Sequence, residues 1–150
     1  MAADPASVGA PGSIAKLPLA AAVAALIGLG DSIYLTVKHM TDGPVPCSII
    51  AGCETVLTSS YADIGGVPLA AFGVAAYFVA FSLTVLAAFG NRIAWTMFGV
   101  QAAIMTIVTG WLTYLQAFVI GAFCQFCLLS AVTTVSLLTV YIISKFTTRN

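Results

Sequence analysis

Charged residues are scarce in this 150-residue chain, which has five Lys or Arg, five Asp or Glu and a single His. A net charge of zero excludes the basic surface that nucleic-acid-binding proteins use, and it also excludes a polybasic lipid-binding patch. With one His and no nucleophile elbow, Ser-His-Asp catalysis is excluded as well. Hydrophobic residues make up 61% of the chain and its mean hydropathy is +1.08. This composition is typical of an integral membrane protein.

Four apolar runs are long enough to cross the hydrocarbon core as helices, which takes about 20 residues each. They lie at about residues 17–37, 67–89, 93–118 and 123–143. Residues 38–66 contain Gly, Pro and acidic side chains, so they form a loop outside the hydrocarbon. The two later connections are short, which predicts antiparallel neighbours. We therefore predict an all-α membrane protein, a four-transmembrane-helix bundle over residues 17–144, with tails at 1–16 and 145–150.

The orientation of the bundle follows from basic residues near the span ends. Lys16, Arg92, Lys145 and Arg149 lie on one side, and only Lys38 lies on the other. Because cytoplasmic loops are enriched in Lys and Arg, we expect both termini to be cytoplasmic, most simply in a bacterial inner membrane. The N-terminal stretch has no basic region or short apolar segment of a cleavable signal, so we expect a mobile tail followed by a retained anchor.

Four cysteines occur in two close pairs, and the predicted topology puts both pairs on the exported side, where disulfides persist. Cys47 and Cys53, in "CSIIAGC", are spaced so that the chain can fold back and join their sulfurs. A purely structural disulfide is the alternative for this pair. A four-cysteine zinc site is disfavoured because this spacing is wider than the usual ligand pair, and no metal is expected.

Cys124 and Cys127, in "FCQFC", form a C-x-x-C pair at the predicted start of the last span. Free N–H groups at a helix N-terminus stabilise a thiolate, which favours thiol–disulfide exchange over a permanent disulfide. Cys127 lies about one turn deeper, so we expect Cys124 to face outward and Cys127 to face the bundle interior. Two such pairs can relay electrons from an exported protein thiol to an apolar acceptor in the bilayer.

The chain resembles the vitamin K epoxide reductase family, in particular its bacterial and plastid members that form disulfide bonds. The resemblance covers nearly everything from the first span onward. It depends on the wide cysteine pair, on "CETVLTSSYADIGGVPLAAFG" from residue 53, and on "CQFC" opening the fourth span. The bacterial quinone-linked disulfide oxidase with a similar bundle has its C-x-x-C pair first, and the reversed order here favours the epoxide reductase family.

The resemblance implies a role for each cysteine. Cys47 would form a mixed disulfide with an exported thioredoxin-fold partner, Cys53 would pass electrons to Cys124, and Cys127 would reduce a bound quinone such as ubiquinone or menaquinone. Ser59 matches a Ser or Thr implicated in activity, although a loop serine often only caps a helix. The adjacent Ser60 is the less favoured candidate.

The resemblance also implies a quinone pocket under a short lid helix in the exported loop. We expect Val56 and Leu57 of this lid to face inward. Four further residues are predicted to line the pocket, with plain bundle packing as the alternative for each; they are Phe72, Ala76, Leu112 and Ala131.

Two positions distinguish the chain from the vertebrate enzymes. Leu69 and Ala131 stand where those enzymes have an Asn and a Tyr that hold vitamin K or its epoxide, which favours thiol oxidation over epoxide reduction. No thioredoxin-like domain follows Asn150, so we expect the partner to be a separate protein or a part of a longer chain.

Asp31 and His39 are the remaining polar candidates. Asp31 is the only acidic residue within a span, and intramembrane carboxyl groups are costly enough to suggest a function. The hypothesis is a proton relay during quinone reduction, and the alternative is a structural acid that is either neutral or hydrogen-bonded to Ser and Thr across the bundle. His39 ends the first span beside Lys38, where an interfacial anchor is the simpler interpretation.

The sequence therefore predicts a membrane thiol oxidase that generates disulfides in its partner and reduces a membrane quinone. The enzymatic alternative is a quinone or vitamin K epoxide reductase driven by partner thiols. The alternative from another class is a non-catalytic four-span scaffold with a structural loop disulfide.

Overall fold

The computed structural model describes residues 16–149, so the predicted tail lies outside the described residues except at Lys16. The elements in chain order are α1 (Lys16–Met40), α2 (Cys53–Leu57), β1 (Asp63–Ile64), β2 (Val67–Pro68), α3 (Leu69–Ala88), α4 (Arg92–Leu115), a π-helical turn (Gln116–Ile120) and α5 (Gln125–Arg149). The four long helices are each long and apolar enough to cross a membrane. The predicted multi-pass, all-α bundle is confirmed.

The bundle is a ring in which α1 and α4 are diagonally opposite, and each of them packs against both α3 and α5. Ala21 and Ala25 of α1 are fully buried, and these small side chains let the neighbouring helices approach closely. Gly28 continues this face, since a Cβ atom there would overlap the ring of Tyr77 from α3. The missing side chain therefore makes room for Tyr77, which is 1% exposed, in the middle of the bundle.

The outer faces of the long helices carry large exposed apolar side chains, as expected for contact with lipid. Ile27 of α1, Phe78 of α3 and Ile107 of α4 are examples that are each more than half exposed. Such side chains would be unfavourable in water, but lipid tails are as apolar as they are. The bundle is thus held together by small residues and interior aromatic rings, while its largest aliphatic residues face outward.

Several helix boundaries differ from the predicted spans; the first helix, for example, continues to Met40 instead of ending at residue 37. The last helix begins at Gln125 instead of residue 123, and it continues to Arg149 instead of ending at 143, so the predicted tail at 145–150 is helical up to Arg149. No Gly or Pro occurs in this C-terminal stretch to end the helix earlier. The second span begins at Leu69 because the two residues before it, Val67 and Pro68, pair as strand β2.

The loop between α1 and α3 contains two small elements. The predicted lid helix is observed as α2, which packs against the π-helical turn below it. Sequence reasoning missed a short hairpin in which Asp63 pairs with Pro68 and Ile64 pairs with Val67. Its two turn residues, Gly65 and Gly66, have φ values of 61° and 83°, which is the left-handed conformation that favours glycine in tight hairpins. The hairpin packs on α1 and α3 through β2 and so anchors the lid segment to the bundle.

Candidate active site

The loop pair of cysteines is joined in a disulfide. Cys47 and Cys53 have Cα atoms 6.2 Å apart, within the range that a disulfide spans without backbone movement. Cys47 is half-buried, whereas Cys53, the first residue of α2, is only 1% exposed. The two sulfurs therefore differ in accessibility, and Cys47 is the one that a large reactant reaches more easily.

The helix pair consists of free thiols. Cys124 immediately precedes α5, so its sulfur accepts hydrogen bonds from the N–H groups of Phe126 and Cys127 in the first turn. The thiol of Cys127 also donates to it, and this bond contributes most to lowering the pKa of Cys124 to about 7, against the opposing effect of burial. Cys124 is thus prepared to form a thiolate, as its position near the helix start suggests.

The expectation that Cys124 faces outward is wrong. Its side chain has 0% exposure because the loop bearing Cys53 lies directly over it. Cys53, Val56 and Cys124 form one buried cluster, and both Cys47 and Cys127 pack against that cluster. The topology therefore brings together two cysteine pairs that are separated by more than 70 residues in sequence.

Two backbone contacts hold the loop over the C-x-x-C pair. The N–H of Ile49 donates to Oε1 of Gln125 at 3.1 Å, which links the loop to the first residue of α5. Gly52 approaches the backbone of Phe123 so closely that a Cβ atom on Gly52 would lie 2.5 Å from the Phe123 carbonyl oxygen. The absence of a side chain at Gly52 is therefore required for the disulfide to sit next to Cys124.

Gln116 is a site residue that sequence reasoning missed. Its Oε1 accepts a hydrogen bond from the N–H of Cys124 at 3.1 Å, and the side chain also bonds to the thiol of Cys127. The side chain is 4% exposed and belongs to the π-helical turn, a feature that is frequent at functional sites. A polar amide eight residues before Cys124, near the end of an apolar span, was the available signal.

Below the cysteines lies a cavity of about 320 Å³ between α1, α3, α4 and α5. Its lining is mostly apolar, and Cys127 forms part of its wall. The predicted pocket residues that line it are Ser59, Val56, Leu57, Phe72, Ala76 and Leu112. The size and the apolar lining are those of a site for a small organic molecule.

Ala131 does not line this cavity, which corrects its predicted role. Ser130 and Thr134 of α5 line it instead, together with Cys127. Residues three and four apart share a helix face, so Cys127, Ser130 and Thr134 point the same way, whereas Ala131 lies about 100° further round the helix than Ser130.

Ser59 lies at the cavity wall, but its hydroxyl group is already used within the lid. Its Oγ donates to the carbonyl oxygen of Val56 at 2.7 Å, and its own N–H bonds to the same carbonyl. These bonds fit the capping interpretation, and the position at the cavity fits the functional one. The adjacent Ser60 is exposed and does not line the cavity.

Asp31 lines the deeper part of the same cavity. The residue is 9% exposed, and neither carboxyl oxygen has a hydrogen-bond partner among residues 16–149. Nearby, the hydroxyl group of Tyr77 bonds to the carbonyl oxygen and Oγ of Ser130 and to Oγ1 of Thr134, at 2.8 to 3.0 Å. Among residues 16–149, Asp31 therefore does not form the hydrogen bonds to Ser and Thr that one version of the structural alternative predicts, whereas a neutral structural acid fits this environment.

His39 also lines the cavity, two turns above Asp31 on α1. Its Nε2 lies 3.0 Å from Oδ1 of Asp63 in the hairpin, and the two side chains are 25% and 46% exposed. The contact links the end of α1 to the hairpin. His39 therefore has a side-chain partner within the protein, which the predicted role as an interfacial anchor did not include.

Comparisons with known proteins agree with this architecture. The sequence profile described as "Vitamin K epoxide reductase family" matches residues 19–142. The chain is also 32% identical over 116 residues to a protein of Arabidopsis thaliana named thiol-disulfide oxidoreductase LTO1. That alignment covers 71% of this chain and 31% of the plant protein, so the chain spans about a third of that relative's length. The match over most of the bundle means that this chain belongs to the vitamin K epoxide reductase family.

Proposed function

We propose that this protein is a quinone-dependent thiol oxidase that generates disulfides in an exported thioredoxin-fold partner. The observation that carries the proposal is the continuous row of cysteines from the half-buried Cys47, through Cys53 and Cys124, to Cys127 at the cavity wall. One end is accessible to a protein thiol, and the other end meets an apolar cavity within the membrane-spanning bundle. The name of the plant relative, a thiol-disulfide oxidoreductase, supports the same chemistry.

The exchange steps use the two pairs in order. A thiolate of the partner attacks the sulfur of Cys47, which breaks the Cys47–Cys53 disulfide and forms a mixed disulfide. The partner's second thiol then closes its own disulfide and releases Cys47 as a thiol. Cys53 next attacks the oxidised form of the helix pair at Cys124, and the resulting mixed disulfide resolves when Cys47 rejoins Cys53. The Cys47–Cys53 disulfide is thereby restored, and Cys124 and Cys127 are left as the dithiol.

The cavity residues fit a quinone head group. Such a ring is flat and apolar, with carbonyl oxygens that only accept hydrogen bonds, and this cavity offers apolar walls with an unpartnered carboxyl group at depth. A bound quinone would supply the two-electron acceptor. Cys127 would present the reducing sulfur to it, while Val56 and Leu57 of the lid would exclude water from above.

The orientation proposed from the basic residues completes this scheme. With both termini cytoplasmic, the loop and the start of α5 face the exported side, where a partner protein can reach Cys47. A bacterial inner membrane contains both components, because it borders an oxidising compartment and carries quinone.

A quinone-reduction assay tests the function. Purified protein in detergent receives a reduced thioredoxin-fold protein and, in separate reactions, ubiquinone, menaquinone or vitamin K epoxide. We expect quinol to form with at least one quinone and to disappear in Cys127→Ala, whose loop disulfide stays intact. Turnover of the epoxide alone would favour the reductase alternative, and the absence of turnover with every acceptor would favour a scaffold.

A second assay identifies the cysteine that accepts the partner. The partner, with its resolving cysteine removed and its remaining thiol activated by thionitrobenzoate, is mixed with Cys53→Ser protein. Cys47 should displace one equivalent of coloured thionitrobenzoate and form a stable mixed disulfide. The matched control, with both Cys47 and Cys53 replaced by Ser, should release none within the same time, since Cys124 is buried. Equal release by the control would contradict the role of Cys47.

A further inference from the structure

The buried carboxyl group of Asp31 is the most costly feature of the bundle that the cysteine relay leaves unexplained. Each of its oxygens is inaccessible to solvent and has no partner within residues 16–149, although it lies on a membrane-spanning helix. A charge held this way is strongly unfavourable, and even a neutral carboxylic acid loses hydrogen bonds that water would give it. The cost is understandable if a molecule entering the cavity supplies the missing partner.

Several other hydroxyl groups around the cavity are already committed. Tyr77 bonds to Ser130 and Thr134, Thr134 donates to the carbonyl oxygen of Ser130, and Ser59 donates to that of Val56. Thr113 likewise donates to the carbonyl oxygen of Thr109 on its own helix. A quinone oxygen can only accept hydrogen bonds, so it needs a donor that is not already engaged. A protonated Asp31 is such a donor.

We propose that Asp31, in its neutral form, donates a hydrogen bond and then a proton to one oxygen of the quinone. The inference rests on the proposed function and adds a catalytic acid to it. Asp31 and Cys127 line the same cavity from different helices, α1 and α5, so a flat ring between them can contact Cys127 and, once the Asp31 side chain turns its buried oxygens toward the cavity, the carboxyl group as well.

Protons and electrons balance without a further reactant. When Cys124 and Cys127 form a disulfide, two S–H bonds break, one S–S bond forms, and two electrons and two protons are released. Reduction of a quinone to a quinol consumes two of each. Asp31 gives its proton to the quinone oxygen and recovers one of the protons that leave the thiols, so the carboxyl group ends the cycle neutral, as it began.

A single-turnover experiment measures the effect. Protein with the Cys47–Cys53 disulfide closed and with Cys124 and Cys127 reduced is mixed with a short-chain quinone, and quinol formation is followed by absorbance. General acid catalysis contributes about 10²- to 10⁴-fold, so we expect Asp31→Asn to slow quinol formation by at least about 10²-fold. Asp31→Glu should recover most of the rate, because it restores the acidic group. Thr84→Val is the matched control, since it removes a buried polar group of α3 that does not line the cavity.

Infrared spectroscopy provides a readout that does not depend on turnover. In a Cys124→Ser, Cys127→Ser variant, which cannot transfer electrons, addition of quinone should shift the C=O stretching band of a protonated carboxyl group. The band should be missing when Asp31→Asn is added to that variant. This measurement also covers the case in which Asp31→Asn alone folds poorly.

The outcomes separate the two proposals. If the unsubstituted protein forms no quinol, the proposed function fails. If it forms quinol and Asp31→Asn does so at the same rate, the role of Asp31 as an acid is overturned. A slow Asp31→Asn variant without a quinone-dependent carboxyl band would also overturn it, because the residue would then act without contacting the quinone.

Discussion

The two cysteine pairs are built in opposite ways. Cys47 lies on an irregular loop and is joined to Cys53, the first residue of the short helix α2, whereas Cys124 and Cys127 lie at the start of a long helix and are free. The loop pair depends on contacts with the rest of the protein for its position, while the helix pair receives hydrogen bonds from the helix itself. One pair thus includes the half-buried Cys47 and the other includes the fully buried Cys124, and the contact between the two pairs is the most vulnerable point of the arrangement.

Gly52→Ala should have the largest effect, because it attacks that contact. The new Cβ atom would collide with the carbonyl oxygen of Phe123 and push the loop disulfide away from Cys124. We expect quinone reduction driven by the partner to fall by at least about 10²-fold, in line with the loss that a misplacement of about 1 Å can cause.

Two controls test whether the loss comes from the collision at residue 52. Gly110→Ala, at a helical glycine with open space around the added atom, should retain the original rate. In Gly52→Ala itself, the loop disulfide should still form, as shown by non-reducing peptide mapping. If Gly52→Ala transfers electrons normally, close packing of the two pairs is not needed for exchange.

Gln116→Leu should have an intermediate effect, because it removes a hydrogen bond that holds Cys124 in place. It leaves the buried N–H of Cys124 without an acceptor, which costs about 1 to 3 kcal/mol of stability. Because the same side chain bonds to Cys127, quinone reduction should also slow. The measurements are thermal unfolding in detergent and single-turnover quinol formation.

Gln101→Leu is the matched control for Gln116→Leu. Gln101 lies on the same helix and donates to the carbonyl oxygen of Ala76 at 2.7 Å, far from the cysteines in sequence. Gln101→Leu should lower the unfolding temperature, but the protein that remains folded should form quinol at the original rate. Equal slowing in both variants would show that Gln116 acts through stability alone.

A smaller effect is expected in the pH at which the Cys124 thiol ionises, and this also distinguishes the helix pair from the loop pair. With Cys47 and Cys53 replaced by Ser, one thiolate should appear with a midpoint near pH 7, because hydrogen bonds lower the pKa of Cys124 from about 9. The thiolate fraction therefore rises through pH 7 and is lost below it. Ultraviolet absorbance of the thiolate follows the titration. Cys127→Ala removes the strongest of these bonds, so the midpoint should move up; an unchanged midpoint would contradict this origin of the shift.

Asp63→Asn should have the smallest effect. The contact between Asp63 and His39 is partly exposed, and such pairs contribute about 1 kcal/mol or less. We expect a small decrease in unfolding temperature and little change in quinol formation. A large loss of activity would mean that the hairpin's link to α1 helps to close the cavity, and the equivalent loss in His39→Gln would confirm that the pair is responsible.

Local sequence patterns were sufficient to predict most of the fold. Four long apolar runs require helices in a bilayer, since backbone groups must be bonded internally, and the Gly- and Pro-rich stretch between the first two requires a loop. The lid helix at Cys53–Leu57 could also be predicted. The hairpin at residues 63–68 was missed because strands of two residues have too short a pattern, although "GG" marked its turn.

The candidate site was predictable in its reactive groups and less so in its surroundings. Cysteine pairs are visible because their spacing is local, and Ser59, Phe72, Ala76 and Leu112 do line the cavity. Ala131 was misassigned because a single step along α5 changes the face that a residue occupies. Gln116 and Tyr77 were missed since their importance depends on contacts with a different helix.

The sequence by itself determined that this protein spans a membrane four times and carries two cysteine pairs of different spacing, because hydropathy and spacing are properties of short segments. Only the tertiary structure decided that Cys53 packs against Cys124, that Cys124 is buried, and that the Asp31 carboxyl group has no hydrogen-bond partner among residues 16–149. These facts arise from the packing of helices that are far apart in sequence. The reactive groups therefore follow from local motifs, whereas the path proposed for electrons and protons depends on packing.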